Sequence, residues 1–227
     1  MTNFRFEYKF ISYDTNYHSL VNWLKLHPLN FRKEYEDRRV NNIYFDTKNF
    51  KAFNDNLAGL SDRFKTRYRW YGDFEQRKLG CLEFKIRKNV YGYKKSFLIK
   101  DLYINEKITP NMIKSIIKRS LDTKHKFIFE NNSEIILINC YNREYFKSFN
   151  SKIRITVDKN LKIFDQAHQP NKLNFSFETK TQKYLVLEIK FAQGDKKFLN
   201  DINFNIPIKL NKNSKYINGL RAIMGIR

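Results

Sequence analysis

In several short segments of this chain, Lys and Arg recur at every second position with apolar or aromatic residues between them. Arg63–Trp70 sets Lys65, Arg67 and Arg69 on one face, and residues 81–87 set Glu83, Lys85 and Arg87 opposite Leu82, Phe84 and Ile86. Residues 152–158 place Lys152, Arg154, Thr156 and Asp158 against Ile153, Ile155 and Val157. Residues 184–191 place Tyr184, Val186, Glu188 and Lys190 against Leu185, Leu187, Ile189 and Phe191. Residues 4–10 (Phe-Arg-Phe-Glu-Tyr-Lys-Phe) carry Arg5, Glu7 and Lys9 on one side. A period of two is the signature of a β-strand. Cationic faces of this kind can hold a phosphate-rich polyanion against several strands.

The charge balance points the same way. Lys and Arg number 44 and Asp and Glu 23, a difference of +21, and a field of that sign attracts nucleic acid, an anionic membrane face or polyphosphate without choosing among them. The two cysteines, Cys81 and Cys140, are far apart and no CxxC or Cys/His spacing occurs, so neither a disulfide framework nor a zinc site is supported. His18, His27, His125 and His168 lack ligand spacing and read as surface or structural residues. No Walker A, GxGxxG or HExxH string occurs, and no RNP, helix-turn-helix or zinc-finger pattern. The first ten residues lack the apolar stretch of a signal peptide, and nothing approaches the about 20 apolar residues of a membrane span. The reading is a cytoplasmic protein.

The elements that must position the basic residues follow from periodicity. With only 7 Gly and 4 Pro in 227 residues, no flexible linker divides the chain, and a single domain over 1–227 is expected. Strands are expected at 4–10, 39–47, 63–70, 81–87, 91–99, 134–147, 152–158, 172–179 and 184–191, with the polar stretch Gly72–Gly80 as a hairpin connection. Helices are expected from Asp14 to His27, over Lys48–Leu57, from Pro110 to Leu121, and from near Ser214 through Leu220. The third is the best marked: Thr109 can cap it, Pro110 fits its first turn, and Ile113, Ile116, Ile117 and Leu121 form its buried stripe. The class is α+β with about eight strands, largely antiparallel.

Any one such strand ordinarily buries its apolar face and wets the other. Taken together, though, at least five strands carry ionic residues on one face, and the helices need an apolar surface to cover. If the sheet closes, that surface is the exterior, and the charges line a wet interior neutralised in part by acids or a bound polyanion. The pattern alone leaves both arrangements open.

Specific strings narrow the choice. Phe4 with RFEYKF (5–10), VNNIYFDT (40–47), FNDNLAGLSDRFKTRYRWYGD (53–73), LEFKIRKNVYGYKK (82–95), YNREYF (141–146), KIRITVD (152–158), VLEIKF (186–191) and SKYINGL (214–220) occur in an order that resembles the VTC domain. This is the polyphosphate polymerase domain of the vacuolar transporter chaperone complex, within the triphosphate tunnel metalloenzyme superfamily. The resemblance spans nearly the whole chain. It implies an eight-stranded antiparallel β-barrel, helices packed outside, whose lumen binds ATP, inorganic triphosphate or polyphosphate with Mn²⁺ or Mg²⁺. It also implies roles: Lys9, Arg67, Arg69, Lys85, Lys94, Arg143, Arg154 and Lys215 as the basic residues at the phosphates, Glu188 as the metal-binding carboxylate, and Tyr141 and Ser214 as substrate contacts. Lys95 competes with Lys94, because the alternation breaks at that pair. Glu83 is open between a second metal ligand and a partner for Lys85 or an Arg.

Those residue types suit phosphoryl transfer, which needs alignment and charge neutralisation more than a protein nucleophile. One departure matters. Hydrolytic members of the superfamily begin with ExExK, whereas this chain reads Arg5-Phe6-Glu7-Tyr8-Lys9. Losing the first acid weakens the case for a second, water-activating metal and favours transfer of the ATP γ-phosphate onto polyphosphate. The alternatives are a tunnel triphosphatase or polyphosphatase, or a polyphosphate-binding module without turnover. No specific nucleic acid is implied, and protein partners are unknown.

Overall fold

A computed structural model of the chain describes residues 5–73, 79–89, 91–168, 171–192, 194–195, 206–211 and 213–226. Phe4, the middle of the expected 72–80 hairpin connection, and Lys196 and Lys197 lie outside these residues, as does the side chain of Arg5. Among the described residues there are nine strands: β1 (Arg5–Tyr13), β2 (Arg32–Asp46), β3 (Arg63–Tyr71), β4 (Gly80–Lys88), β5 (Tyr91–Ile99), β6 (Glu134–Lys147), β7 (Ile153–Asp165), β8 (Tyr184–Ala192) and β9 (Lys209–Leu210). The α-helices among the described residues are α1 (Tyr17–Leu26), α2 (Lys51–Leu57), α3 (Pro110–Arg119), α4 (Thr123–Glu130) and α5 (Lys215–Ile223). The chain is α+β, as the patterning predicts.

The strand order is β5-β4-β3-β2-β6-β7-β8-β1-β9. This corrects the expected eight-stranded closed barrel: the described residues hold nine strands, and no pairing among them joins β9 back to β5. Pairing of β1 with β8 and β9, β2 with β3, β3 with β4, β4 with β5, and β7 with β8 is antiparallel. Residues 172–179 do not form the expected strand; a single bridge, Phe164 to Glu178, is all that pairs there. That segment holds Asn174, whose side-chain oxygen accepts from the Ser176 and Phe177 amides (3.1 and 2.8 Å), a local turn that competes with extended pairing.

The chain divides into two compact units. One holds residues 1–38, 141–161 and 182–213; the other holds 39–140, 162–181 and 214–227. In the first unit, alternate residues of β1, β7 and β8 (Phe10, Ile153, Ile155, Val157, Leu185, Leu187, Ile189, Phe191) form the core, and α1 closes it with Leu20 and Leu24.

In the second unit, two cores lie on opposite faces of the strands. Ile43, Phe45, Tyr68, Trp70, Leu82 and Phe84 pack with Ile113 and Ile117 of α3 and Phe129 of α4. Tyr44 and Ile136 pack instead with Ala52 and Phe53 of α2 and with Tyr216, Ile217 and Leu220 of α5. Directly paired residues of an antiparallel ladder share a face, and Tyr44 pairs with Arg67. So α2 and α5 cover the same face that carries the basic residues of β3, and the expectation that every helix covers the apolar face is corrected for these two. The reason lies in β2, where both faces of Val40–Asp46 are buried: a strand buried on both sides needs cover on both sides.

Gly80 opens β4 against the fully buried Tyr68, and a Cβ there would fall on the Tyr68 ring and hydroxyl. Tyr68 has no open space to move into, so Gly80→Ala should lower stability by about 1–3 kcal/mol. Chemical denaturation of the two proteins checks this; equal stability would mean that the β4 start moves freely.

Candidate phosphate site

The basic face of the second unit is built by register. On β3 the alternating residues are Arg63, Lys65, Arg67 and Arg69; across from them on β4 stand Arg87, Lys85, Glu83 and Cys81; and β5 sets Lys94 beside Lys85 and Ser96 beside Glu83. Among the described residues of β3–β5, Arg63, Lys65, Arg67, Arg69, Lys85, Arg87 and Lys94 thus share one face with one carboxylate, Glu83. That carboxylate is buried and accepts a hydrogen bond from Arg67 Nε and one from Lys94 Nζ (2.9 Å), with Arg69 at 3.9 Å. Burial opposes its ionisation, but Arg67, Arg69 and Lys94 outweigh it and bring the Glu83 pKa down to about 2. Arg63 shows the opposite pressure: burial and the nearby Arg87 lower its pKa. Glu83 is therefore a counter-ion shared by three cations.

Two asparagines missed by the sequence reading support this face. Asn42 Oδ1 accepts from Arg69 Nε (3.0 Å), and Asn42 Nδ2 donates to Asn139 Oδ1 (2.8 Å), both asparagines being fully buried. Asn42 is paired with Arg69 in the ladder, but its link to Asn139 spans 97 positions and leaves no local signal.

Helix α5 brings its N-terminus to the same face. Ser214 caps it, its Oγ accepting from the Ile217 amide (3.5 Å) and from Lys65 Nζ (3.0 Å). Lys215 is the first helical residue, half-buried. Free amides at a helix start favour anions. Register puts Lys94 and Lys95 on different faces: Lys94 pairs with Lys85, whereas Lys95 pairs with Phe84 and points its ammonium at His125 Nε2 of α4, 3.3 Å away. Lys95 lies on the opposite face from Arg67.

The first unit holds a second group. Lys9 pairs with Glu188, and Thr156 flanks Glu188 on its other side. Glu188 is buried, with Lys190 in ion-pair contact and Lys9 at 3.7 Å; Lys9 also meets Glu7 at 2.7 Å. Burial would raise the Glu188 pKa, but Lys190, Lys9 and Arg143 outweigh it and hold the carboxyl well below the usual range. Arg143 grips Asp158 with two bonds, Nε at 2.6 Å and Nη2 at 2.8 Å, and its guanidinium lies 5.3 Å from the centre of the buried Tyr141 ring. Arg154 is exposed and pairs in register with Lys190.

Among the described residues no group of three or more His, Cys, Asp or Glu side chains gathers at one point. A divalent ion here would rest on Glu188, with the Thr156 hydroxyl, buried without a hydrogen-bond partner among the described residues, as a further oxygen on that face. Lys9 and Lys190 would repel a bare ion. The residues fit an ion that arrives bound to phosphate oxygens, which suits Mg²⁺ or Mn²⁺ better than a site made of protein ligands alone.

The stability contributed by Glu83 follows from its depressed pKa. It is fully present above the unfolded value near 4.5 and is lost as pH falls toward about 2. Glu83→Gln should therefore destabilise the protein by on the order of 3 kcal/mol at pH 7 and by much less near pH 3. Denaturation curves at the two pH values measure the gap, and a gap that does not narrow in acid would refute the counter-ion role.

The family model for the VTC domain matches residues 4–224. No curated protein matches the chain. Of solved structures, a Vibrio parahaemolyticus protein provisionally described as an adenylate cyclase is 12% identical with a TM-score of 0.51, the alignment covering 96% of this chain and 98% of that one. This likeness is one of fold. The PH1819 protein of Pyrococcus horikoshii OT3 is 11% identical with a TM-score of 0.49, covering 99% of this chain and 100% of that one.

Proposed function

The chain belongs to the VTC domain family, one of phosphate chemistry on a tunnel-type fold, and on that premise we propose that it is a polyphosphate polymerase-type phosphotransferase. The observation that carries this reading is the basic face of β3–β5, where seven cations share one face with one buried carboxylate, Glu83, that three of them contact. A field of that sign attracts a polyanion.

In the proposed reaction a terminal oxygen of the polyphosphate chain attacks the γ-phosphorus of ATP. The bond from that phosphorus to the β–γ bridging oxygen breaks, and ADP leaves with the electron pair. No protein nucleophile is consumed. Arg67, Arg69, Lys85 and Lys94 neutralise and align phosphate oxygens, and Ser214 and Lys215 hold a phosphate at the start of α5. Lys95, on the other face, drops out of this set. In the other unit Lys9, Arg143 and Arg154 serve as further phosphate contacts beside Tyr141, whose ring supports Arg143. Glu188 would hold Mn²⁺ or Mg²⁺; when bound, the ion supplies positive charge to the phosphate oxygens. A divalent cation is general in enzymes of this fold family; which one serves here is part of the proposal. No helix among the described residues is long and apolar enough to cross a membrane.

Purified protein given ATP and Mn²⁺ should yield phosphate chains resolved as a ladder on a polyacrylamide gel. Orthophosphate alone, released from triphosphate, would assign a hydrolase; tight polyphosphate binding without turnover would assign a binding module. Glu188→Gln should abolish metal-dependent turnover while polyphosphate affinity stays within a few-fold, since the basic face is untouched. Full activity in that variant would remove Glu188 from any metal role.

A further inference from the structure

Resting on that reading, we propose that Asp46 and Tyr216 form a buried latch that positions the start of α5, and through it Ser214, at the phosphate. They are positioning residues: neither is part of the phosphate-contacting set. Asp46, at the end of β2, is fully buried. Its carboxylate accepts from the amides of Thr47 (2.7 Å), Ala52 (2.9 Å) and Phe53 (3.2 Å), and from the hydroxyl of Tyr216. Two of those amides belong to the first turn of α2. The residue at the cap position of α2 is Phe50, in a left-handed conformation (φ 52°) and without a side-chain oxygen to offer. Asp46 supplies from six residues upstream what a local cap would supply.

The fourth donor ties α5 to this frame. Tyr216 is the second residue of α5, its ring stacks on Tyr44 at 5.4 Å, and Tyr44 pairs with Arg67. Burial and the Asp46 carboxylate both push the Tyr216 hydroxyl well above its ordinary pKa, so it stays a donor. Ser214 lies two residues before Tyr216, about 3 Å along a helix axis, and its oxygen meets Lys65 at 3.0 Å. Hydrogen bonds to phosphate tolerate only a few tenths of an ångström. Packing of Tyr216 on Tyr44 would permit α5 to slide; the directional bond to Asp46 fixes where its first turn stops.

The test is a double-mutant cycle read by polyphosphate affinity, with calorimetric titration of the folded protein. Ser214→Ala removes the contact itself, and Tyr216→Phe removes the latch while keeping the stacked ring. Tyr216→Phe should weaken polyphosphate binding about tenfold, and the double variant should bind no more than about twofold weaker than Ser214→Ala alone, because the latch acts through Ser214. A purely structural Tyr216 would change the fraction folded and not the affinity of the folded fraction, or would add its full loss to that of Ser214→Ala. Wild-type affinity in Tyr216→Phe, or full additivity in the double variant, overturns the latch and leaves the phosphate site standing, provided Ser214→Ala is weakened. Absence of polyphosphate binding by the wild type overturns the reading of the site, and the latch with it. If Tyr216→Phe does not fold, Asp46→Asn, which keeps the side-chain shape, takes its place in the cycle and must show the same non-additivity.

Discussion

The arrangement of the second unit depends on the crowding of like charge around Glu83. Strands β3, β4 and β5 are held in register by an apolar face of Phe64, Phe84, Leu82 and Tyr68, and that register forces the basic residues together on the other side. Their apolar neighbours contribute burial energy that makes the repulsion tolerable, and Glu83 cancels the part closest to the sheet. Two of its partners are arginines, whose planar guanidinium groups lose little freedom when fixed. The site is thus preorganised before any ligand arrives.

Glu188 sits in a similar electrostatic setting with different consequences. It too is buried and ionised by surrounding cations, but its close partners are lysines, Lys9 and Lys190, on flexible stems. A lysine ammonium can turn away to a phosphate oxygen without breaking a bidentate geometry, as Arg67 could not. Glu83 is therefore held mainly by arginines with fixed geometry and Glu188 by lysines that can turn away. Arg143 belongs with the fixed set, since Asp158 holds two of its nitrogens.

Much of this was legible in the residues because period-two alternation is local. The charged faces of β3, β4, β7 and β8, and the capped helix at Pro110, follow from neighbours a few positions apart. The start of α5 at Ser214 was legible for the same reason. Asp46 and Asn42 were not, since their partners Tyr216 and Asn139 stand 170 and 97 positions away. Helix α4 was missed because Thr123–Glu130 alternates Lys with His and Phe and shows no apolar stripe. The parity of Lys94 against Lys95 depends on the turn after Lys88, where Asn89 adopts a left-handed conformation (φ 52°), and a shift of one residue there exchanges the faces of the whole strand. Closure of a sheet is less local still, for it depends on two edges that no string of residues compares.

Strand β5 stands at one end of the strand order, with backbone donors and acceptors along its outer side that no described strand takes up. Such an edge invites a second molecule to add its own strand. Here the edge bears Lys94 and Lys95, with Lys100 just beyond, so two copies meeting edge to edge would bring like charges into contact. These lysines thus guard the protein against extending its sheet into an aggregate.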